Sequence, residues 1–167
     1  MPAVFKKMGG GMRQLTVSFI AILVAHIGLV YAEIYSRDDF NYRSYKPNTS
    51  VGFYTGKTCR SINIDHVVSL KDAFESGASS WSEAQKTAFA NDRENHVPSC
   101  RRVNSSKGSA GPKDFLRRSE DGKGLDYKIL DFCGYVLKYH SVKIKYGLSL
   151  ASNSSNIFNR CGIGDKQ

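Results

Sequence analysis

The chain has 167 residues, with 24 lysines and arginines against 15 aspartates and glutamates and a formal net charge of +9. This length suits one domain, because a second sizeable core would need more chain. Hydrophobic residues make up 41% and aromatic residues 11% of the sequence, a composition that argues against wholesale disorder. The positive charge favours an anionic partner, with nucleic acid and a membrane surface as the leading classes.

Residues 1–32 have the organisation of a secretory signal peptide. Three basic residues and no acidic one precede an uncharged apolar run from Leu15 to Ala32, which ends in Val-Tyr-Ala. A basic region, an apolar region and a small-residue cleavage site follow each other in signal peptides. We predict cleavage after Ala32, with an uncleaved membrane anchor as the alternative because the run approaches the length of a bilayer span. Residues 33–167 keep a net charge of +6, so the basic character does not depend on the leader.

The four cysteines all follow the predicted leader, at Cys59, Cys100, Cys133 and Cys161. An even number of cysteines in an exported chain argues for two disulfides. A structural zinc site is disfavoured because no pair has the close C-x-x-C spacing. Three connectivities remain open, since spacing alone does not select among them.

The first half of the mature chain mixes loops, a strand and a helix. Residues 33–58 are polar and aromatic and predict loops with at most a short helix. Residues 61–70 are rich in β-branched side chains and predict a strand. The capping-box spacing from Ser80 to Glu83 predicts a helix that runs to about Ala90.

The next segment continues with a turn at 91–95 and a second short strand at 96–103. Pro98 restricts that strand to an edge or an irregular loop. A helix is predicted to begin within 109–118, and residues 119–126 are predicted to form a loop.

The C-terminal part changes to a helical pattern from Tyr127. Apolar side chains recur there every three or four residues and make one face of a helix; they are Ile129, Phe132, Val136, Tyr139 and Val142. Gly147 is a suitable C-cap for this helix, and a last short helix is predicted over 152–160. The pattern as a whole predicts a single α+β domain at 33–167.

A candidate site lies between Ile64 and Lys107. Asp65 and His66 are adjacent on the predicted strand, and Asn104 follows Asn95 by nine residues. Phosphodiester hydrolysis with a divalent metal needs oxygen ligands for a hard cation and a base for water. Asp65 offers a carboxylate oxygen and Asn104 a carbonyl oxygen, while His66 points to the opposite face of an extended strand. Metal ligand and base are therefore predicted to be physically separated.

The segments IDHVVSLKDAFESGASSW, FANDRENHVPSCRRVNSSKG and PKDFL closely resemble the HNH (ββα-metal) nucleases. The closest likeness is to small secreted bacterial endonucleases and to the nuclease half of modified-DNA restriction enzymes. The Asp-His pair and the nine-residue asparagine interval are also similar to the HNH domain of RNA-guided DNA nucleases. YTGK and CGYVLKYHSVKIKYGLSL resemble the secreted subgroup, so the likeness covers most of the mature chain.

The resemblance implies an α+β fold in which a two-stranded hairpin is crossed by a helix, the ββα-metal (HNH/His-Me finger) core, with surrounding helices and two disulfides. His66 is implied as the general base and Asn95 as the residue that braces the loop behind it. Asp65 and Asn104 are implied to hold one Mg²⁺, with Mn²⁺ as an alternative. Asn104 stands where many relatives have histidine, and such an all-oxygen site favours these hard cations over zinc or nickel.

The resemblance also implies a phosphate contact for Lys107. We expect the basic residues around the motif to contact the nucleic-acid backbone as well; in this set are Arg101, Arg102 and Lys113. Ser105 stands where relatives often carry arginine. The disulfide pairing implied is Cys59–Cys100 and Cys133–Cys161. The segment before Tyr54 matches the family least and is assigned no role.

The sequence thus predicts a secreted or periplasmic endonuclease that hydrolyses phosphodiester bonds of DNA, with RNA as a second possible substrate. Little sequence specificity is expected, because one small domain leaves no room for a separate base-reading module and phosphate contacts carry no sequence information directly. The predicted partner is double-stranded DNA bound through its backbone by a monomer, with membrane contact only through an uncleaved leader. The alternative from another class is a non-catalytic, disulfide-stabilised DNA-binding envelope protein.

Overall fold

The computed structural model of the chain describes residues 33–115, 128–150 and 155–164, and the statements below concern these residues. The predicted signal peptide at 1–32 and the predicted loop at 119–126 lie outside them.

A two-stranded antiparallel sheet forms from β1 (Ile62–His66) and β2 (His96–Cys100). Its register pairs Ile62 with Cys100 and His66 with His96. The Asp-His pair therefore stands at the end of β1, directly beside the first residue of β2. The prediction of a strand over 61–70 is wrong beyond His66, because the chain turns there into a helix.

Two short helices connect the strands, α1 (Leu70–Glu75) and α2 (Glu83–Asn91). Ser69 caps α1 by accepting a hydrogen bond from the Asp72 amide. The apolar residues before Ser69 continue the strand pattern, so the sequence did not predict a helix start here. A capping box also starts α2, but Ser82 and Gln85 form it rather than Ser80 and Glu83. The helix ends at Asn91, close to the prediction.

The helix α3 (Arg101–Lys107) follows β2 without a connecting loop. The prediction of a strand over 96–103 is therefore wrong for its last three residues. The helix packs against both strands, so β1, β2 and α3 form one compact unit. Asn104 and Lys107 lie three residues apart on α3 and share a face of it.

The C-terminal part contains α4 (Phe132–Lys145) and α5 (Ser155–Arg160). The long helix begins at Phe132, where the Asp131 side chain accepts from the Gly134 amide, rather than at Tyr127. Gly147 follows it with a φ of 62°, a conformation suited to a helix end. Residues 112–115 are helical, as predicted. None of the described helices is long and apolar enough to cross a membrane.

Aromatic side chains form much of the core beneath the sheet. Tyr54 is buried and packs edge to face on Phe115 and Tyr135, with ring centres 5.0 and 5.3 Å apart. Disulfides join Cys59 to Cys100 and Cys133 to Cys161, which is the pairing that the resemblance implied. The architecture is a mixed α+β fold with a small two-stranded sheet and two disulfides.

Candidate active site

A cavity of about 380 Å³ opens at the end of β1, and Asp65, His66 and Asn104 all line it. The first two residues come from the end of β1 and the third from the middle of α3. The packing of α3 across both strands thus brings together the three residues that the sequence singled out as base and metal ligands.

The Asp65 carboxylate is buried, and the Lys107 Nζ lies near both of its oxygens. The Tyr54 hydroxyl donates to its Oδ2 at 2.6 Å, and the Lys107 Nζ lies 3.2 Å from the same oxygen. Burial raises the pKa of the Asp65 carboxyl, and the nearby Lys107 ammonium partly opposes that rise. Lys107 also donates to the His66 carbonyl at 2.8 Å and is fully buried. The structure therefore contradicts the prediction that Lys107 contacts phosphate, because its ammonium compensates an internal carboxylate.

The His66 ring is oriented by a backbone carbonyl. Its Nε2 lies 2.8 Å from the Ala90 oxygen, and since a carbonyl only accepts, Nε2 must carry the hydrogen. The other ring nitrogen, Nδ1, then has its lone pair available as a proton acceptor. Burial lowers the pKa of His66 to about 3, so the imidazole is neutral near pH 7.

A second histidine, His96, shares that carbonyl. Its Nε2 lies 2.9 Å from the Ala90 oxygen and 3.1 Å from the His66 Nε2, while the Tyr45 hydroxyl lies 3.2 Å from its Nδ1. These polar groups all have hydrogen-bond partners when both histidines donate from Nε2 to the Ala90 carbonyl and the Tyr45 hydroxyl donates to the His96 Nδ1. The sequence pattern places this residue in the second strand but does not pair it with His66, because the pairing of the two rings depends on the strand register.

Asn95 is fully buried and holds the chain just beyond His66. Its Oδ1 accepts from the Val68 amide at 2.8 Å, and its Nδ2 donates to the Val68 carbonyl at 3.0 Å. The Asn95 carbonyl also accepts from the Val67 amide at 2.8 Å. Asn95 thus fixes the turn that follows His66, and its role behind the base stays a prediction.

Asn104 is oriented by Asn63, a residue that sequence analysis missed. The Asn104 Nδ2 donates to the Asn63 Oδ1 at 3.1 Å, so its carbonyl oxygen is the atom that can serve a cation. Asp65 and Asn104 together offer the hard oxygens that Mg²⁺ prefers. In the described ranges no group of three or more His, Cys, Asp and Glu side chains could hold a metal. A cation here would therefore complete its shell with water and substrate oxygens, as Mg²⁺ commonly does.

The basic residues of the cavity are not the ones that sequence analysis proposed. Arg101, Arg102 and Lys113 are exposed, whereas the cationic side chains found among the described lining residues are Arg37 and Lys71. The predicted phosphate track beside α3 is thus displaced from the cavity that holds Asp65 and His66.

The N-terminal segment 33–45, to which the sequence assigned no role, forms one wall of the site. Tyr35 and Arg37 line the cavity, and the Tyr42 ring lies edge to face against His66, with centres 4.6 Å apart. Asn91 fastens this segment to α2, because its side chain accepts from the Arg43 amide and donates to the Asn41 carbonyl. These contacts join residues that are distant in sequence. They produce no periodic pattern in the sequence from which a role for this segment could be predicted.

The chain is 34% identical over 104 residues to a protein of Arthroderma benhamiae (strain ATCC MYA-4681 / CBS 112371) described as an uncharacterized secreted protein. The match covers 59% of this chain and 47% of that protein, so the chain spans just under half of the relative's length. No protein-family model matches the chain, and no solved structure matches it.

Proposed function

We propose that this chain is an exported, metal-dependent endonuclease of the HNH (ββα-metal) type that hydrolyses DNA with little sequence specificity. The observation that carries the proposal is the single cavity lined by Asp65, His66 and Asn104. A base, a carboxylate oxygen and an amide oxygen at one surface are the groups that metal-assisted hydrolysis of a phosphodiester requires.

His66 would act as the general base. Its Nδ1 takes a proton from the attacking water, and the bond from Nε2 to the Ala90 carbonyl holds the ring in place. Burial alone makes this imidazole a weak base. The negative charge of an arriving phosphodiester favours the protonated form and raises its pKa toward the working pH.

Asp65 and Asn104 would hold the divalent cation, Mg²⁺ or Mn²⁺. When bound, such an ion supplies positive charge that stabilises the departing 3′ oxygen. The remaining contributions come from the chain itself. Asn63 fixes the Asn104 amide, while Tyr54 and Lys107 hold the Asp65 carboxylate at the cavity wall.

Export is supported by two independent features. Disulfides such as Cys59–Cys100 and Cys133–Cys161 persist in oxidising compartments and are rare in the cytosol. The similar protein from Arthroderma benhamiae is described as secreted. Together with the leader-like sequence of residues 1–32, they favour an extracellular or periplasmic location.

A plasmid-cleavage assay tests the activity. The oxidised protein is incubated with supercoiled DNA in Mg²⁺, in Mn²⁺ and in EDTA, and the His66→Ala variant is compared with His140→Ala as a matched control on α4. We expect cleavage with either metal, its loss in EDTA, and a rate lowered at least about 100-fold in His66→Ala only. Equal rates for His66→Ala and the parent would falsify the assignment of the base.

The same assay addresses the alternatives. An RNA substrate in parallel compares the two nucleic acids. Retention of DNA on a gel without cleavage, across both metals, would instead support the non-catalytic binding protein.

A further inference from the structure

The candidate-site cavity is the first of three adjoining cavities, which we call the arginine groove. Arg37 lines both the first cavity and a second one of about 640 Å³. Arg43 and Thr87 line both the second cavity and a third one of about 400 Å³. Because successive cavities share lining residues, the three lie side by side along the N-terminal segment and α2.

Positive charge lines this groove along its length. Arg37, Arg43 and Arg93 are exposed side chains, one or more in each cavity. Lys71, which pairs with Glu75 at 3.6 Å, also lines the first cavity. The acidic lining residues are Asp38 and Asp65, and the second of these is compensated by Lys107. The groove therefore presents a net positive surface suited to a polyanion.

Packing contacts hold the arginines in position along the groove. The Arg93 guanidinium lies 3.4 Å from the centre of the Tyr45 ring, and Tyr45 is itself bonded to His96. The Arg43 backbone is tied to α2 through Asn91. The Arg37 guanidinium lies 5.7 Å from the centre of the Tyr42 ring, which packs on His66. Arg37 and Arg43 thus lie on the segment whose Tyr42 ring packs on the proposed base His66. Arg93 reaches the site separately, through the Tyr45 ring that contacts His96.

We propose that the arginine groove binds the phosphate backbone of the DNA strand that is cut, with Arg37 nearest the scissile phosphate. Arg43 and Arg93 then contact phosphates further along the strand. This inference rests on the proposed nuclease function and assigns its substrate a path, in place of the track along Arg101, Arg102 and Lys113. Because Tyr42 and Tyr45 are already packed against histidine and arginine, the groove contacts phosphate and does not stack bases, which accounts for little sequence preference.

Binding in EDTA tests the groove separately from catalysis. Fluorescence anisotropy with a labelled DNA duplex measures Kd across roughly 50 to 200 mM salt. Three double variants each remove two charges: Arg43→Ala/Arg93→Ala in the groove, Arg101→Ala/Lys113→Ala on the track expected from sequence, and Lys57→Ala/Arg60→Ala as a control on exposed positions that line none of the three cavities. Arg43→Lys/Arg93→Lys restores charge, and thermal unfolding checks that every variant is folded.

We expect the groove variant alone to weaken binding about tenfold or more and to lower the slope of log K against log salt by about two. The lysine variant should recover most of the affinity. Equal weakening by Arg101→Ala/Lys113→Ala, or no weakening by the groove variant, overturns the inference. Groove-dependent binding by a protein that fails to cleave in Mg²⁺ or Mn²⁺ would refute the nuclease function and leave the groove standing.

Discussion

The Lys107 ammonium lies 3.2 Å from the Asp65 carboxylate and 2.8 Å from the carbonyl of His66. One buried cation thus compensates the proposed metal ligand and fixes the backbone of the proposed base. We therefore expect loss of the Lys107 charge to lower both the stability of the fold and the activity of the proposed site.

Removal of the Lys107 charge should therefore be costly. Lys107→Met leaves the buried Asp65 carboxylate without its cationic partner, and we expect the free energy of unfolding to fall by about 3 to 5 kcal/mol. Tyr54→Phe removes one hydrogen bond while the ammonium stays, and about 1 kcal/mol is expected. Urea unfolding measures both. Addition of Asp65→Asn to Lys107→Met should recover part of the loss, and a full additive loss would contradict the coupling.

Asn95 should matter more to stability than the neighbouring Asn91. Asn95→Ala leaves the buried N–H and C=O of Val68 without their side-chain partners, and about 2 to 4 kcal/mol of stability is expected to be lost. Asn91→Ala removes bonds to more exposed groups and should cost about 1 kcal/mol or less. Denaturant unfolding of the two variants compares them, and equal losses would remove the special role assigned to the Val68 contacts.

The buried His66 should make the protein sensitive to acid. Its pKa is about 3 in the folded protein and about 6.5 in an unfolded chain. In this interval the unfolded chain binds a proton that the folded protein does not, so the free energy of unfolding falls as the pH falls. The expected contribution is about 1.4 kcal/mol per pH unit. Urea unfolding in EDTA at pH 7 and at about pH 4.5 measures it. A His66→Gln variant should have a shallower dependence, whereas His140→Gln should resemble the parent.

His96 is predicted to act as a positioning residue for His66. His96→Ala removes a donor to the Ala90 carbonyl and the edge contact between the rings, and we expect kcat for DNA cleavage to fall about tenfold with KM unchanged. His96→Gln can still donate to the carbonyl and should recover most of kcat. A purely structural role would instead give equal kcat for Ala and Gln once both proteins are folded.

The local part of the site was predictable from sequence, and the long-range part was not. Asp65, His66 and Asn104 sit in short segments whose spacing carried the resemblance, and the structure places all three on one cavity. His96, Tyr42 and Arg37 reach the same site through strand register and through a loop that folds back over α2, and neither leaves a periodic pattern. Lys107 shows a different limit, because the residue type and position alone do not distinguish a buried ion pair from a phosphate contact.

Errors in the element boundaries have a similar cause. Val67 and Val68 extend the apolar pattern of β1, so the strand was predicted to continue through residues that cap and begin α1. Arg102 and Val103 fitted a strand by composition, but the chain enters α3 at Arg101. The local cap at Ser69 marks the first boundary, and the second lies directly after the disulfide-bonded Cys100.

Cys100 is the last residue of β2 and directly precedes α3. It is also the disulfide partner of Cys59. The helix that carries Asn104 and Lys107 therefore starts from a covalently fixed point, and that point exists only after oxidation. In a reducing cytosol Cys59 and Cys100 stay thiols, so the start of α3 is not covalently fixed. The disulfide forms only after export to an oxidising compartment. For the proposed nuclease, the site would therefore be completed after synthesis and outside the cytosol. Under the proposed nuclease function, oxidation of the thiols after export would thereby protect the nucleic acid of the cell that makes this chain.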